Sequence, residues 1–384
     1  LRRTLRHEEA DRIPIGESFW SSHLELARAQ YGQTFSPYRA YDLDYVIMTP
    51  NMDPRIMPFR ILEEDGDDVV LETGFGATVR RSGKAPMPHF ESFSVRTPED
   101  MAEFILEDPA DPRRFFSDGD DQLNGVSDIL ARQTPSWSSR VDDFADDFAV
   151  FGSVCEVYEF LWRCIGTENS LLWMIEEPEA LAAFCTRIAD FLANFLEAQI
   201  RAGAGRLSGI YIFGDVAYRN GMLFDPDTWR DLLKPHVKRL IDICHAHGLM
   251  AVYHGCGNAS ALFEDLIGIG LDAYNPLEVK AGLDVVALKP QFDKRLAFVG
   301  NIDVRVLESG DPVAIRREVL YKLQAAQGGG WVFQSDHSIS SSVSPESYRL
   351  AVECLREFGS YPLPLERIRE ELRRLPVSDA EATK

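Results

Sequence analysis

From residue 148 onward the apolar positions fall into short continuous runs, and between the runs they recur at helical spacing. The runs are Phe148-Ala149-Val150-Phe151-Gly152, Gly209-Ile210-Tyr211-Ile212-Phe213, Leu249-Met250-Ala251-Val252-Tyr253, Asp272-Ala273-Tyr274, Leu296-Ala297-Phe298-Val299 and Trp331-Val332-Phe333-Gln334. They are too short for helices and too evenly apolar for a sheet with one wet face, so they predict strands covered on both sides. The intervening stretches predict helices: a long one from Pro178 to about Arg201, and one opening at Asp225-Pro226 and closing at His247-Gly248. Others begin at Ser260, cover about 283–291 and 311–326, and run from about Pro345 to Phe358. An acidic cap before Pro opens a helix, and Gly just past the last turn ends one. At least six strand–helix units in series predict an α/β fold with a parallel sheet, and favour a closed (β/α)8 TIM barrel. No GxGxxG follows any of the strands, so the dinucleotide-binding open sheet lacks its phosphate loop.

Before residue 148 the pattern is irregular, rich in acids and prolines. Its clearest elements are a short strand, Ile13-Pro14-Ile15, and a hairpin that pairs Asp68-Val69-Val70-Leu71-Glu72 with Ala77-Thr78-Val79-Arg80 around Gly74 and Gly76. Residues 110–147 carry two acidic clusters, Asp118-Gly119-Asp120-Asp121 and Asp142-Asp143 with Asp146-Asp147. Their spacing matches no EF-hand loop, and they read as solvated surface. With no repeat or Gly/Ser linker, residues 1–384 read as one domain: an extended irregular N-terminal region to about 147, then regular β/α units over about 148–360.

Composition narrows the function. A hydrophobic fraction of 45% with 26% charged residues describes a globular chain. No apolar run approaches the roughly 18–20 residues that span a bilayer, so no membrane association is expected. The basic start, Leu1-Arg2-Arg3-Thr4-Leu5-Arg6-His7, has no apolar stretch behind it and does not read as a signal peptide. A net charge of −21 opposes nucleic acid and anionic surfaces. Cysteines 155, 164, 185, 244, 256 and 354 form no CxxC pair and read mostly as small buried hydrophobes of a reducing, cytoplasmic setting. Cys256 alone follows a strand.

The strand ends are where a barrel of this kind keeps its chemistry. Here they read Glu17 after the first strand, Asp215 after Phe213, His254 and Cys256 after Tyr253, and Asn275 after Tyr274. Asn301 and Asp303 follow Val299, and Ser335-Asp336-His337 follows Gln334. A small-molecule substrate at that rim is expected. His254 and Cys256 are two apart, so they share a face, and imidazole with thiolate is a donor set that zinc prefers. A zinc site needs a third ligand: His337 is the natural candidate, and Glu17 or Asp215 could supply oxygen. His245 and His247 lie in the last turn of a helix, where they complement its dipole. There is no GxSxG elbow, which argues against serine hydrolysis.

Several segments together resemble the uroporphyrinogen decarboxylase superfamily, a group that includes cobalamin-dependent methyltransferases. They are Asp11-Arg12-Ile13-Pro14-Ile15, His254-Gly255-Cys256-Gly257-Asn258, Gly300-Asn301-Ile302-Asp303 and Ser335-Asp336-His337-Ser338-Ile339. The resemblance covers essentially the whole chain and implies a (β/α)8 barrel. Genuine decarboxylases of the group carry an Arg-rich stretch just after the first strand that grips the substrate's carboxylates. Here that slot reads Gly16-Glu17-Ser18-Phe19-Trp20. A Glu in an acidic protein would repel a polyanionic porphyrinogen.

The methyltransferase branch uses His-x-Cys and a later Cys as zinc ligands. His254 and Cys256 match the first two, and His337 stands at or next to the later position, exchanging sulfur for nitrogen. The resemblance then implies a zinc-dependent methyltransferase that moves a methyl group between a small substrate and a corrinoid carried by a separate protein. Asp215 and Glu17 would orient the substrate or handle its proton. Tyr218, Asn220, Asn275, Asn301, Asp303 and Asp336 would line the cavity. The alternative is a carboxy-lyase acting on a small carboxylate, with Asp215 or Asp44 as acid/base; Asp44 lies near where family decarboxylases keep an essential Asp. A third reading is a barrel that only binds a corrinoid or porphyrin-like ligand. Dimers occur in the family, and Phe160-Leu161-Trp162 is a candidate interface for a homodimer.

Overall fold

A computed structural model describes residues 1–56, 60–66, 68–82, 88–117 and 135–376. The acidic cluster at 118–121 lies outside the described residues. Two compact units are formed: Leu1–Val46 with Ala217–Met222 and Val252–Lys384, and Ile47–Val216 with Leu223–Ala251. In chain order the strands are β1 (Tyr45–Met48), then β2 (Arg60–Asp65), β3 (Asp68–Glu72), β4 (Ala77–Ser82) and β5 (His89–Phe93). After them come β6 (Ala149–Cys155), β7 (Leu207–Phe213), the short pair β8 (Ala217–Tyr218) and β9 (Gly221–Met222), and β10 (Met250–His254). The last three are β11 (Ala273–Asn275), β12 (Ala297–Val299) and β13 (Trp331–Val332). One sheet has the order β1-β6-β7-β10-β11-β12-β13, and β6–β7, β10–β11, β11–β12 and β12–β13 run parallel. The strands β6 and β10 to β13 are buried almost without interruption, as double-sided coverage requires.

The eighth position is filled by the predicted first strand. Ile15 bridges Phe333 in parallel; Gly16 N donates to Phe333 O and Phe333 N to Pro14 O, both at 2.9 Å. On its other side, Ile15 O accepts from Asp44 N at 2.8 Å, one residue before β1. Asp44 adds its side chain: Oδ2 accepts from Ile15 N and from Arg12 Nη1, each at 2.7 Å. The fold is an α/β (β/α)8 barrel with a partly irregular N-terminal region.

The helices follow their sequence signals. Pro178–Ala202 buries Leu181, Phe184, Ile188, Leu192, Phe195 and Leu196, one stripe at spacings of three and four. Asp225 caps the next helix by accepting from Asp227 N. The single helix expected from there to His247 is two, Pro226–Leu232 and Lys234–Ala246. Pro235 has no N–H for the carbonyl four residues back, and its ring crowds that carbonyl. Phe160 and Leu161, read as a candidate interface, are buried within their helix.

The predicted hairpin is β3–β4, with Leu71 opposite Val79 and Val70 opposite Arg80. It is the centre of a four-stranded antiparallel sheet, β2-β3-β4-β5. Val69, Leu71, Ala77 and Val79 form its buried face, with Phe90 and Phe93 packed on it. The second acidic cluster is surface, as expected: Asp142 and Asp146 pair with Arg206. Cys155, Cys164, Cys185, Cys244 and Cys354 are buried, and Cys256 is half-buried. Among the described residues no helix is long and apolar enough to cross a membrane.

Asp44→Ala strips two donors, Ile15 N and Arg12 Nη1, of their acceptor at the ring's seam, and should cost about 2 kcal/mol in denaturant unfolding. Asp44→Asn keeps an oxygen for Ile15 N and should cost less; equal losses would show that the carboxylate does not hold the seam.

Candidate functional site

His254 is the last residue of β10, in register with Asn275 at the end of β11. Asn275 is buried, and its Nδ2 donates to Val299 O at 3.1 Å. A carbonyl can only accept, so this contact fixes which end of the amide is NH2. Oδ1 then faces His254 Nδ1 at 2.6 Å. Nδ1 carries the ring proton, and the lone pair is left on Nε2. That nitrogen lies 3.8 Å from Cys256 Sγ. Two ligands of one tetrahedral zinc, at about 2.0 and 2.3 Å from the metal, stand about 3.5 Å apart. The spacing of the pair is compatible with two ligands of one metal ion.

The loop carrying Cys256 is held at several points. Tyr274 Oη donates to Gly255 O at 2.9 Å, and Gly257 N to Glu278 Oε2 at 3.1 Å. Asn258 N donates to Tyr218 O at 2.9 Å. Gly257 has φ +77°, and a Cβ there would meet Tyr218 O at 2.7 Å, so no other residue fits. Tyr218 itself is 69% exposed and Asn220 is exposed on the same β8–β9 turn. Tyr218 thus serves this loop through its backbone.

Three further rim candidates use their polar atoms to tie loops. Asn301 is fully buried with φ +82°. Its Oδ1 accepts from Val285 N and Lys322 Nζ, and its Nδ2 donates to Leu277 O and Leu283 O. Asp303 caps the helix Val304–Ser309 and pairs with Arg305 at 2.7 Å. Asp336 accepts from Val279 N and Val304 N at 2.8 and 2.9 Å, joining the loops after β11 and β12. Burial pushes its carboxyl up to about 6.

Glu17 sits at the end of the first barrel strand, after a glycine whose Cβ would overlap the Tyr45 ring. It is buried, and burial pushes its carboxyl up to about 7. Ser335 Oγ donates to Glu17 Oε1 at 2.8 Å and also lies close to His337 O. Ser18 N donates to Oε1 at 3.0 Å and Ser335 N to Oε2 at 3.1 Å, so these bonds favour the carboxylate and partly offset its burial. The charge that the sequence suggested would repel an anion is absent while Glu17 is protonated. His337 turns Nδ1 toward Ser338 O at 3.1 Å and stands beside Trp20, ring centroids 6.0 Å apart. It does not join His254 and Cys256: among the described residues no three His, Cys, Asp or Glu donors within 4.8 Å of one another include it. Asp44 is placed at the ring's seam described above, 23% exposed on its side chain.

In the second unit, Asp215 follows β7, and its N–H points at Glu159 Oε2 at 3.4 Å. Beside it is a residue that the strand-end rule should have found and did not. Glu156 directly follows β6, is fully buried, and burial pushes its carboxyl up to about 8. Its signal was the polar residue after Cys155, obscured because an apolar helix begins at once.

A family model described as uroporphyrinogen decarboxylase (URO-D) matches residues 67–358. The chain belongs to the uroporphyrinogen decarboxylase family. It is 29% identical over 337 residues to uroporphyrinogen decarboxylase from Pseudoalteromonas translucida, covering 85% of this chain and 82% of the relative. To the enzyme of the same name from Aeromonas salmonicida it is 23% identical over 336 residues, with the same coverage. A solved methyltransferase from Methanosarcina mazei has the same fold, with a TM-score of 0.63, 16% identity, and 93% and 97% of the two chains covered. This is a family of enzymes, and its relatives here are distant. In this member the slot after the first strand, Gly16–Trp20, holds no cation.

A carboxyl raised from 4.5 to about 7 on folding binds a proton the unfolded chain has lost, so it lowers stability as pH rises through that window. Glu17→Gln should therefore flatten the decline in unfolding free energy between pH 4.5 and 7. A variant whose stability falls with wild-type steepness would show that Glu17 is ionised throughout.

Proposed function

We propose that the chain is a zinc-dependent methyltransferase that moves a methyl group between a small substrate and a corrinoid held by a separate protein. The observation that carries this reading is the His254 tautomer: Asn275 holds Nδ1, which leaves Nε2, 3.8 Å from the Cys256 sulfur, as the nitrogen that can ligate. His254 and Cys256 would hold the metal, with the remaining positions left to another strand-end side chain and to the substrate. A zinc ion supplies Lewis acidity there, lowering the pKa of a bound thiol or alcohol. Asn275 fixes the imidazole, a partner that in metal sites typically contributes 10- to 100-fold in affinity. Asp215 and Glu17 orient the substrate or handle its proton, Glu17 with a carboxyl that burial raises to about 7. Glu278 and Tyr274 keep the Cys256 loop in place.

A second reading, a carboxy-lyase acting on a small carboxylate, draws support from the names of the relatives. Against uroporphyrinogen itself stands the slot after the first strand. Glu17, Ser18, Phe19 and Trp20 offer no positive charge to a polycarboxylate. At an effective dielectric near 20, each missing cation at 4 Å forgoes about 4 kcal/mol of attraction before desolvation.

Elemental analysis of the chain purified without a His tag should find one zinc per chain. Cys256→Ser should lose it, and Asn275→Ala should weaken it about 10- to 100-fold. Protein free of zinc, or zinc unaffected by Cys256→Ser, would overturn the metal assignment. Release of carbon dioxide from a small carboxylate by chelated enzyme would favour the lyase instead.

A further inference from the structure

The N-terminus of the helix Val157–Ile165 carries two buried carboxyls, and the loop after β7 lies directly on them. Glu156 caps this helix, its Oε1 accepting from Glu159 N at 2.9 Å. Its own N–H donates to Phe213 O at 2.8 Å, tying the end of β6 to the end of β7. Gly214 then passes so close that a Cβ would fall 2.2 Å from Glu156 Cγ and 2.6 Å from Oε1. The next residue, Asp215, points its N–H at Glu159 Oε2. Glu159 is itself held: Arg163 grips Oε1 through Nε and Nη2 at 3.0 and 2.7 Å, and Trp162 Nε1 donates to Oε2 at 3.0 Å.

We propose that Glu156 and Glu159 form a positioning seat for Asp215, which holds the loop only while Glu156 is uncharged. The proposal rests on the reading of Asp215 as a group that orients the substrate or handles its proton. Glu159 and Glu156 divide the work. The first carries charge, which Arg163 balances, and receives the Asp215 N–H. The second presents a neutral carboxyl against which the Gly214 backbone can pack.

The groups facing Glu156 explain why it must be neutral. They are Glu159 and Tyr158 on its own helix, Asp215 on the loop after β7, Cys155 at the end of β6, and Cys185 on Pro178–Ala202. Those that carry charge near neutral pH are both negative, and Arg163 is already engaged by Glu159. Glu156 Oε2 has no hydrogen-bond partner among the described residues and is shielded from solvent. An ionised carboxyl there would have no donor at that oxygen and two like charges nearby, a costly state. Protonated, it leaves the seat intact. As pH rises through about 8 the charge appears, and Gly214 and Asp215 are pushed off.

The full chain, labelled with 13C at the Gly214 and Asp215 carbonyls, tests this by NMR titration from pH 6 to 10. Both resonances should shift together with a midpoint near 8. In Glu156→Gln, which keeps an oxygen for the helix cap, both should stay at their low-pH positions throughout. Gly214→Ala, whose methyl has no room, should show the displaced positions already at pH 7. Wild-type resonances that do not titrate there, or that titrate identically in Glu156→Gln, would overturn the proposal. Should Glu156→Gln fail to fold, the wild-type titration and Gly214→Ala still decide. Because the readout needs no substrate, loss of the methyl-transfer reading would leave this result standing, and the reverse also holds.

Discussion

The seam between the first and last strands is the constraint on which the rest of the ring depends. Pro14, Ile15 and Gly16 supply main-chain bonds to Phe333 on one side and to Asp44 on the other. Without that pairing, β13 would end in an open edge with unpaired backbone groups. Asp44 reinforces the join with a carboxylate in place of a ladder partner, neutralised by Arg12. Gly16 is the residue that lets the strand run past the Tyr45 ring. Glu17 and Ser335, which follow the two joined strands, meet beyond the seam because the strands do.

Around the candidate metal pair, several polar side chains are bonded to backbone groups of the neighbouring loops. Asn275 reads the Val299 carbonyl and transmits its orientation to His254. Asn301, Asp303 and Asp336 bind backbone N–H groups of the loops after β11 and β12, and Lys322 joins them nearly buried, between Asn301 and Asp284. Buried polar groups satisfied in this way fix loops more narrowly than apolar packing does, because each bond has a direction as well as a distance. A metal ligand placed on such loops needs little rearrangement to bind.

Much of this was legible in the sequence, and the exceptions have physical causes. The strands β6, β7, β10 and β12 showed as apolar runs because both of their faces are covered. The stripe of Pro178–Ala202 showed for the complementary reason, one covered face on a long helix. β2 carried no signal because all six of its residues are exposed, so no alternation separates inside from outside. β1, four residues long, lay within a stretch whose polar neighbours hid it. At the site, strand-end polarity led to His254, Cys256 and Asn275. It could not distinguish side chains that meet a ligand from those that fasten loops, since both are polar residues at the same place; Asn301 and Asp336 belong to the second kind. Glu17 was found by position, but its charge state follows from burial, which the sequence does not display.

The account turns on whether His254 and Cys256 share a metal. X-ray absorption at the zinc edge, on the chain as purified, reads the donor atoms directly. One sulfur at about 2.3 Å together with nitrogen or oxygen donors at about 2.0–2.1 Å is the result expected here, with the sulfur shell missing from Cys256→Ser. A shell of oxygen and nitrogen alone in the wild-type protein would contradict it, and with it the methyl-transfer reading built on that pair.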